Sequence, residues 1–253
     1  MTLIVKPVKA EKDLIEVYGL RYKVYCHEWG FEKPENHMDG LVTDADDENA
    51  LHFATKDDSN KTVGAVSLIV DSSGTFPIER HCELEIDNVN IPREGLAEIA
   101  KLVIHRNYRR RAEDKYIYGQ DEERRSIGSF DFQYSHPSSR NYYRRVDDKY
   151  KIKNTSKRAQ NSPQDRRKRH EVILGLYKAL YQESKRRHIS HWYAVMTKGI
   201  ATLMGRFGIN FQAIGDPVDY HGIRTPYLGN IAKIEKSMSD ADPELYKEFV
   251  TGI

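Results

Sequence analysis

LRYKVYCHEWGFE, Leu20–Glu32, places an arginine on the apolar stripe of a helix. Counting along the chain, Leu14, Val17, Tyr18, Arg21, Val24, Tyr25 and Glu28 recur at the i, i+3, i+4, i+7 spacing of one helical face. The periodicity predicts a helix over residues 8–31, ended by Gly30. A guanidinium on that stripe has two ways to avoid a costly burial. It meets a carboxylate or a substrate carbonyl, or it snorkels from the edge of the stripe into water.

The 253 residues suffice for one large domain or two small ones with a substantial core. Lysine and arginine (40) nearly balance aspartate and glutamate (38), so the net charge of +2 does not by itself point to a nucleic-acid binder. Cys26 and Cys82 are too few for a disulfide scaffold or a tetrahedral metal site, and are expected to be reduced structural thiols. The N-terminal apolar run, Leu3–Val5, is too short for a signal-peptide core or a membrane span. No other run approaches membrane length, and the protein is expected to be soluble and cytoplasmic.

Beyond the first helix, residues 33–49 are acidic and turn-rich, carrying Asp39, Asp44, Asp46, Asp47 and Glu48. Leu51–Ala54 and Thr62–Val70 read as strands joined by the hairpin signal DDSNK. Pro77–Glu85 reads as a short helix and Ala97–Ile104 (AEIAKLVI) as a further strand. From about Tyr108 to His170 apolar periodicity is lost, which predicts a disordered or loosely draped insertion within one domain. Its second half is basic, with only three aspartates between Arg140 and Arg169. Order returns with an amphipathic helix from Glu171. A strand (His191–Met196), a short helix (Lys198–Phe207), a strand (Ile209–Ile214), a strand (Ile223–Leu228) and a last helix (Asp240–Val250) follow. The pattern is that of an α+β or mixed α/β sheet protein.

The familiar catalytic signatures are missing: no G-x-S-x-G elbow, no Walker A loop, no G-x-G-x-x-G and no H-E-x-x-H. Direct transfer between bound substrates fits this better than a covalent intermediate. What remains is a charged set: Arg21, Asp44, Asp47, Glu98 and Lys101. Glu98 and Lys101 lie three apart on one strand, so they point to opposite faces unless a bulge intervenes.

The phrases 21-RYKVYCHEWGF-31, 44-DADDENALHF-53, PIERHCE and 97-AEIAKLVIHRNYRRR-111, with the late phrase HWYAVMTKGIATLMGRFGINFQAIGDPVDYHGIRTPYL, resemble the acyl-transferring branch of the GNAT superfamily. That branch holds acyl-homoserine-lactone (autoinducer) synthases and long-chain N-acyl amino acid synthases. The resemblance is closest to acyltransferases associated with exosortase/PEP-CTERM systems, and it spans about residues 14–111 and 171–228. It implies a GNAT-like three-layer fold over residues 1–253, with a central, mainly antiparallel, bulged sheet flanked by helices and the insertion at about 109–169. It further implies that Arg21, Tyr25 and Phe31 frame the amine pocket and that Asp44 and Asp47 hold its substrate side together. Glu98 matches the strand carboxylate proposed as general base, and Lys101 stands where an arginine is usual. Ser67 stands where autoinducer synthases carry an arginine, which favours a different amine pocket.

Amine attack on a thioester requires loss of a proton, which a carboxylate can take, and stabilisation of the oxyanion, which backbone amides at a bulge can supply. Arg21, paired with Asp44 or Asp47, is then structural support. No tightly bound cofactor is implied; the donor is an acyl thioester, carried on the phosphopantetheine of an acyl carrier protein or on coenzyme A. Where ordinary GNAT enzymes place a glycine-rich pyrophosphate turn, this chain has HRNYRRRAED. Arg109, Arg110 and Arg111 are therefore assigned to the donor phosphate or the acidic carrier. The apolar late strands and the loop Tyr220–Tyr227 are expected to line or cap the acyl chain, with Phe207, Phe211, Tyr220 and Tyr227 as candidate wall residues. Besides an N-acyl amino acid synthase, the sequence leaves open an autoinducer synthase, an acetyl-coenzyme A transferase, and a polyanion-binding protein acting through residues 140–169.

Overall fold

The computed structural model describes residues 2–70, 74–85, 91–108 and 170–253. The expected insertion at about 109–169, with Arg109–Arg111 and the basic arm, lies outside the described residues.

One mixed sheet organises the molecule. Strands β1 (Ile4–Pro7), β2 (Ala50–Lys56), β3 (Thr62–Ile69) and β4 (Leu96–Ile104) form an antiparallel run. The next strand, β5 (His191–Met196), pairs parallel to β4, and β8 (Ile223–Asn230) closes antiparallel on β5. Two two-residue strands, β6 (Gln212–Ala213) and β7 (Val218–Asp219), pair with β8.

Helices cover both faces because side chains alternate along each strand. Helix α1 (Glu11–Tyr22) buries Val17 and Leu20, together with Val24, against Ala54, Ala65 and Val103. On the same face, α2 (Pro77–His81) sets Ile78 and Phe76 against Ile69 and Leu96. The opposite face carries α3 (Glu171–Arg186), whose Val172, Leu176, Tyr177 and Leu180 meet Phe53, Val66, Leu68 and Ile99. The core helix is tied down by a buried hydrogen bond from the Trp192 indole to the Ser184 hydroxyl, 2.8 Å. Helices α4 (Lys198–Gly205), α5 (Ile231–Ala241) and α6 (Pro243–Val250) complete that layer. The three-layer, mainly antiparallel architecture is the one expected.

Several boundaries differ. The first helix does not run to residue 31: at Lys23 it widens into a π-helix, Lys23–Glu28, which Gly30 leaves at φ +66°. The Asp240–Val250 helix is two helices, interrupted where Asp242 caps the Leu245 amide ahead of Pro243. The strand expected at Ile209–Ile214 shortens to β6, and the Pro77–Glu85 helix stops at His81. Cys26 and Cys82 are both buried free thiols.

The sheet carries a bulge where the chemistry was expected. Ala65 pairs with Val103 but Ser67 pairs with Ala100, so Val66 faces both Lys101 and Leu102. Lys101 absorbs the irregularity at φ +55°. Side-chain parity flips across it: Leu96 packs on the α1/α2 face before the bulge, and the odd-numbered Val103 packs there after it. A residue three after Glu98 is thereby returned to the face of Glu98.

Candidate active site

Strands β4 and β5 pair only from Leu96–His191 to Ile99–Ala194. Past that point they part, and the gap opens into a cavity of about 150 Å³. Its walls include Ala100, Lys101 and Leu102 from β4 and Val195 and Met196 from β5. Arg21, Tyr25, Trp29 and Phe31 come from the first helical segment and its exit, and Tyr220, His221 and Arg224 from the turn before β8 and its start.

Glu98 sits in this cavity with 3% of its surface exposed. The Ile78 amide donates to its Oε2 at 2.9 Å. Burial dominates the titration and pushes the carboxyl up to about 8, against the Ile78 hydrogen bond. Asp46 and Glu79 push in the same direction as burial and Arg80 opposes them. At neutral pH the group is mostly protonated yet within reach of ionisation.

Behind the cavity lies a buried polar network around Arg21, which is 1% exposed. Its Nη1 donates to Asp47 Oδ1 at 2.8 Å and Oδ2 at 3.0 Å, and its Nη2 donates to Ser67 Oγ at 2.8 Å. The same Nη2 lies 3.2 Å from His52 Nδ1, which is also 2.9 Å from Ser67 Oγ. Burial and the Arg21 charge hold His52 down at about 4, so it is neutral and its Nδ1 accepts. Among the described residues the Arg21 Nε has no hydrogen-bond partner. Asp47 is held low against its burial by Arg21 and Lys101, whose Nζ is 2.9 Å from Asp47 Oδ1. Lys101 also pairs with Asp44, the residue that caps the Ala45–Asn49 turn in a capping box with Asp47. Arg21, Asp47, Lys101 and Asp44 thus alternate in charge from the interior to the cavity rim.

The rim is aromatic. The Tyr25 ring stacks with Trp29 (6.2 Å) and His221 (6.5 Å), Phe31 lies against His221 (5.5 Å), and Arg224 caps the Phe31 ring at 5.4 Å. On the other side Tyr220 stacks on His81 at 4.8 Å. The π-helix is what turns Tyr25 into this group, since the Phe31 and Trp29 amides bond back to Tyr25 and Val24.

Of the residues singled out from the sequence, Arg21, Tyr25, Phe31, Asp44, Glu98, Lys101 and Tyr220 line the one cavity, with Asp47 joined to it through Arg21 and Lys101. Phe207, Phe211 and Tyr227 do not: Phe207 packs edge-on against His170, Phe211 stacks on Trp192, and Tyr227 is buried on β8. Their rings fill the core around α3, where apolar side chains of that size are needed to close the sheet. The sequence reading passed over Trp29, Asp46 and Tyr177 as cavity residues, whereas His221 and Arg224 belong to the loop Tyr220–Tyr227 and Met196 to a late strand, both expected to line or cap the acyl chain. Trp29 lies four residues after Tyr25, at the edge of the same helical stripe, where the π-turn ends. Among the described residues no group of three or more His, Cys, Asp or Glu side chains is arranged to hold a metal ion, and no described helix is long and apolar enough to cross a membrane.

Residues 20–119 match the family model described as an acetyltransferase (GNAT) domain. No curated protein matches the sequence. Among solved structures, TofI in a ternary complex with an inhibitor and MTA aligns with a TM-score of 0.59 at 14% identity, over 97% of this chain and 100% of that one. The CoA-dependent acyl-homoserine lactone synthase BjaI, with SAM and isopentyl-CoA, gives 0.57 at 13% identity, over 96% and 90%. FeeM, an N-acyl amino acid synthase from uncultured soil microbes, gives 0.50 at 11% identity, over 95% and 97%. The fold is GNAT-like, and residues 20–119 are similar to the acetyltransferase domain of that fold.

Proposed function

We propose that the protein is an N-acyltransferase that moves a fatty acyl group from a thioester donor to the amine of an amino acid or a related small molecule. The observation that carries this reading is the placement of one buried carboxylate, Glu98, in the gap where β4 and β5 part. The thioester arm enters between the two strands. The acceptor amine approaches from the aromatic rim and gives its proton to ionised Glu98. Its nitrogen bonds to the thioester carbonyl carbon, the tetrahedral oxyanion is held by backbone N–H groups of the β4 bulge, and the C–S bond breaks as Glu98 passes its proton to the departing thiolate, which leaves as the thiol. A base titrating near 8 is better matched to an amine than an ordinary carboxylate, because proton transfer is most effective between groups of similar pKa. Arg21, Asp47 and Lys101 hold the acceptor side rigid and take no proton.

The finer assignment, an acyl-carrier-protein-dependent enzyme akin to those associated with exosortase systems, draws its support from the sequence resemblance. Ser67 favours an acceptor other than an S-adenosylmethionine-type lactone precursor. Here the short hydroxyl accepts from Arg21 and adds no second cation to the pocket.

A transfer assay tests the reading. Purified protein is supplied with long-chain acyl carrier protein or acyl-coenzyme A and a pool of amino acids, with S-adenosylmethionine in a parallel reaction. Extracts are read by mass spectrometry. The expected product is an amide whose mass names both substrates, formed at a rate that rises through pH 8 and falls by about 10²-fold or more in Glu98→Gln. A lactone product would favour autoinducer synthesis, and no product from folded protein would remove the acyltransfer reading.

A further inference from the structure

Helix α2 does more than cover the sheet edge. Its Ile78 amide is the hydrogen-bond donor to Glu98, so the position of this five-residue helix decides what the carboxylate sees. Two ion pairs pin it. Arg93, just before β4, grips Glu79 with Nη1 to Oε1 at 2.6 Å and Nη2 to Oε2 at 2.9 Å, and lies over the Phe76 ring at 4.5 Å. Arg80 reaches both oxygens of Asp46 at 2.6 Å and donates to the Thr75 carbonyl. Asp46 lines the cavity, so this second pair joins α2 to the Ala45–Asn49 turn at the rim of the site.

We propose that Arg80 and Asp46 act together as positioning residues for Glu98: their ion pair joins α2, whose Ile78 amide meets the carboxylate, to the acidic turn and holds two opposed charges in place beside it. The inference rests on the reading of Glu98 as the proton acceptor. The charged and titratable groups near Glu98 come from every element packed around it. Arg80 and Glu79 lie on α2, Cys82 directly after it, Asp46 on the acidic turn, Tyr193 on β5 and Tyr220 on the turn before β8. Glu79 is neutralised by Arg93. Cys82, Tyr193 and Tyr220 all titrate above their ordinary values, and so carry no charge at neutral pH. Arg80 and Asp46 are then the pair whose balance sets the local field. They act with opposite signs: Arg80 favours the ionised carboxylate and Asp46 the protonated one.

This opposition separates a positioning role from a merely structural one. In Arg80→Met, Asp46 is left beside Glu98 without its cation, and the titration of Glu98 moves up. In Asp46→Asn, Arg80 is left without its anion, and the titration moves down. Each upward move of one pH unit removes about nine-tenths of the ionised base at pH 7. Arg80→Lys restores the charge but not the forked grip, so it recovers the midpoint more completely than the turnover.

The experiment follows the Glu98 carboxyl by carbon-13 NMR in the full chain labelled at glutamate, with Glu98→Gln identifying the resonance. The pH–rate profile of acyl transfer is measured on the same variants. Opposite displacements of the midpoint in Arg80→Met and Asp46→Asn bear the proposal out. Displacement in the same direction, or none in folded protein, overturns it. The NMR titration needs no turnover, so opposite displacements in a protein with no transfer activity would retain the pair and discard the acyltransfer reading.

Discussion

Glu98 shows how much of a site one residue carries and how its identity is constrained. Burial holds its carboxyl near 8 in the folded protein, whereas the unfolded chain titrates near the ordinary value of 4.5. The folded state therefore binds the extra proton between those two values. Its contribution to stability is fully present below about 4.5 and is lost as the pH rises through about 8. Glu98→Gln keeps an acceptor for the Ile78 amide and removes the titration. The variant is expected to be more stable than the parent by an amount that grows from pH 5 to pH 8 and then levels, reaching on the order of a few kcal/mol. Parallel thermal melts across that range check it; a constant offset would mean that Glu98 is not strained by burial. Arg21 and Glu98 were both legible in the sequence, because a charge on an apolar stripe or in an apolar strand demands an explanation. Trp29 was not, since an aromatic at a helix exit carries no such tension until the exit is seen.

At the scale of elements, the sheet was readable from alternation and the helix α3 from its 3.6-residue period, whereas irregularities had to be seen. The three-residue spacing of Glu98 and Lys101 posed a choice between opposite faces and a bulge. The bulge at Val66 opposite Lys101–Leu102 resolves it. The π-helix at Lys23–Glu28 was hidden because its residues continue a plausible α-helical stripe. The edge strand Ile4–Pro7 was missed because Pro7 and Lys6 suit an edge that has no core pattern to declare. The parting of β4 from β5 is the element-scale feature with the clearest consequence. Ala100 lies on the first residue past the paired region and lines the gap. Ala100→Leu adds bulk to the passage, directly opposite Ser67 in the strand register. The KM for a long-chain donor is expected to rise by about tenfold with a smaller change for the amine, in line with a constriction costing about 1–3 kcal/mol. Equal effects on both substrates would show that the donor enters elsewhere.

The molecule as a whole presents its cavity between two electrically different surroundings. On the acceptor side Asp44, Asp46 and Glu32 stand at the cavity wall. At the end of β4, His105 is buried and held below its ordinary value, chiefly by burial and further by Lys23, Lys61 and Arg106. The strand on which the thioester would react therefore runs out into basic surroundings, and Arg109–Arg111 follow three residues beyond Arg106 in the chain. A donor borne by an acidic carrier protein gains from such a field in its rate of encounter, and the gain shrinks as salt shortens the range of the interaction. Coenzyme A, small and held mainly by its own arm, gains less. Replacing Arg109, Arg110 and Arg111 together by alanine is expected to raise the KM for acyl carrier protein on the order of tenfold at low ionic strength and to flatten its salt dependence. The KM for acyl-coenzyme A should change by a smaller factor. Steady-state kinetics with both donors from 20 mM to 500 mM salt, both values chosen to span about 20 to 4 Å of screening length, make the comparison. An equal loss with the two donors would place the arginines on the shared pantetheine phosphate, and unchanged kinetics with both would remove them from the donor path and leave Lys23, Lys61 and Arg106 as the residues to replace next.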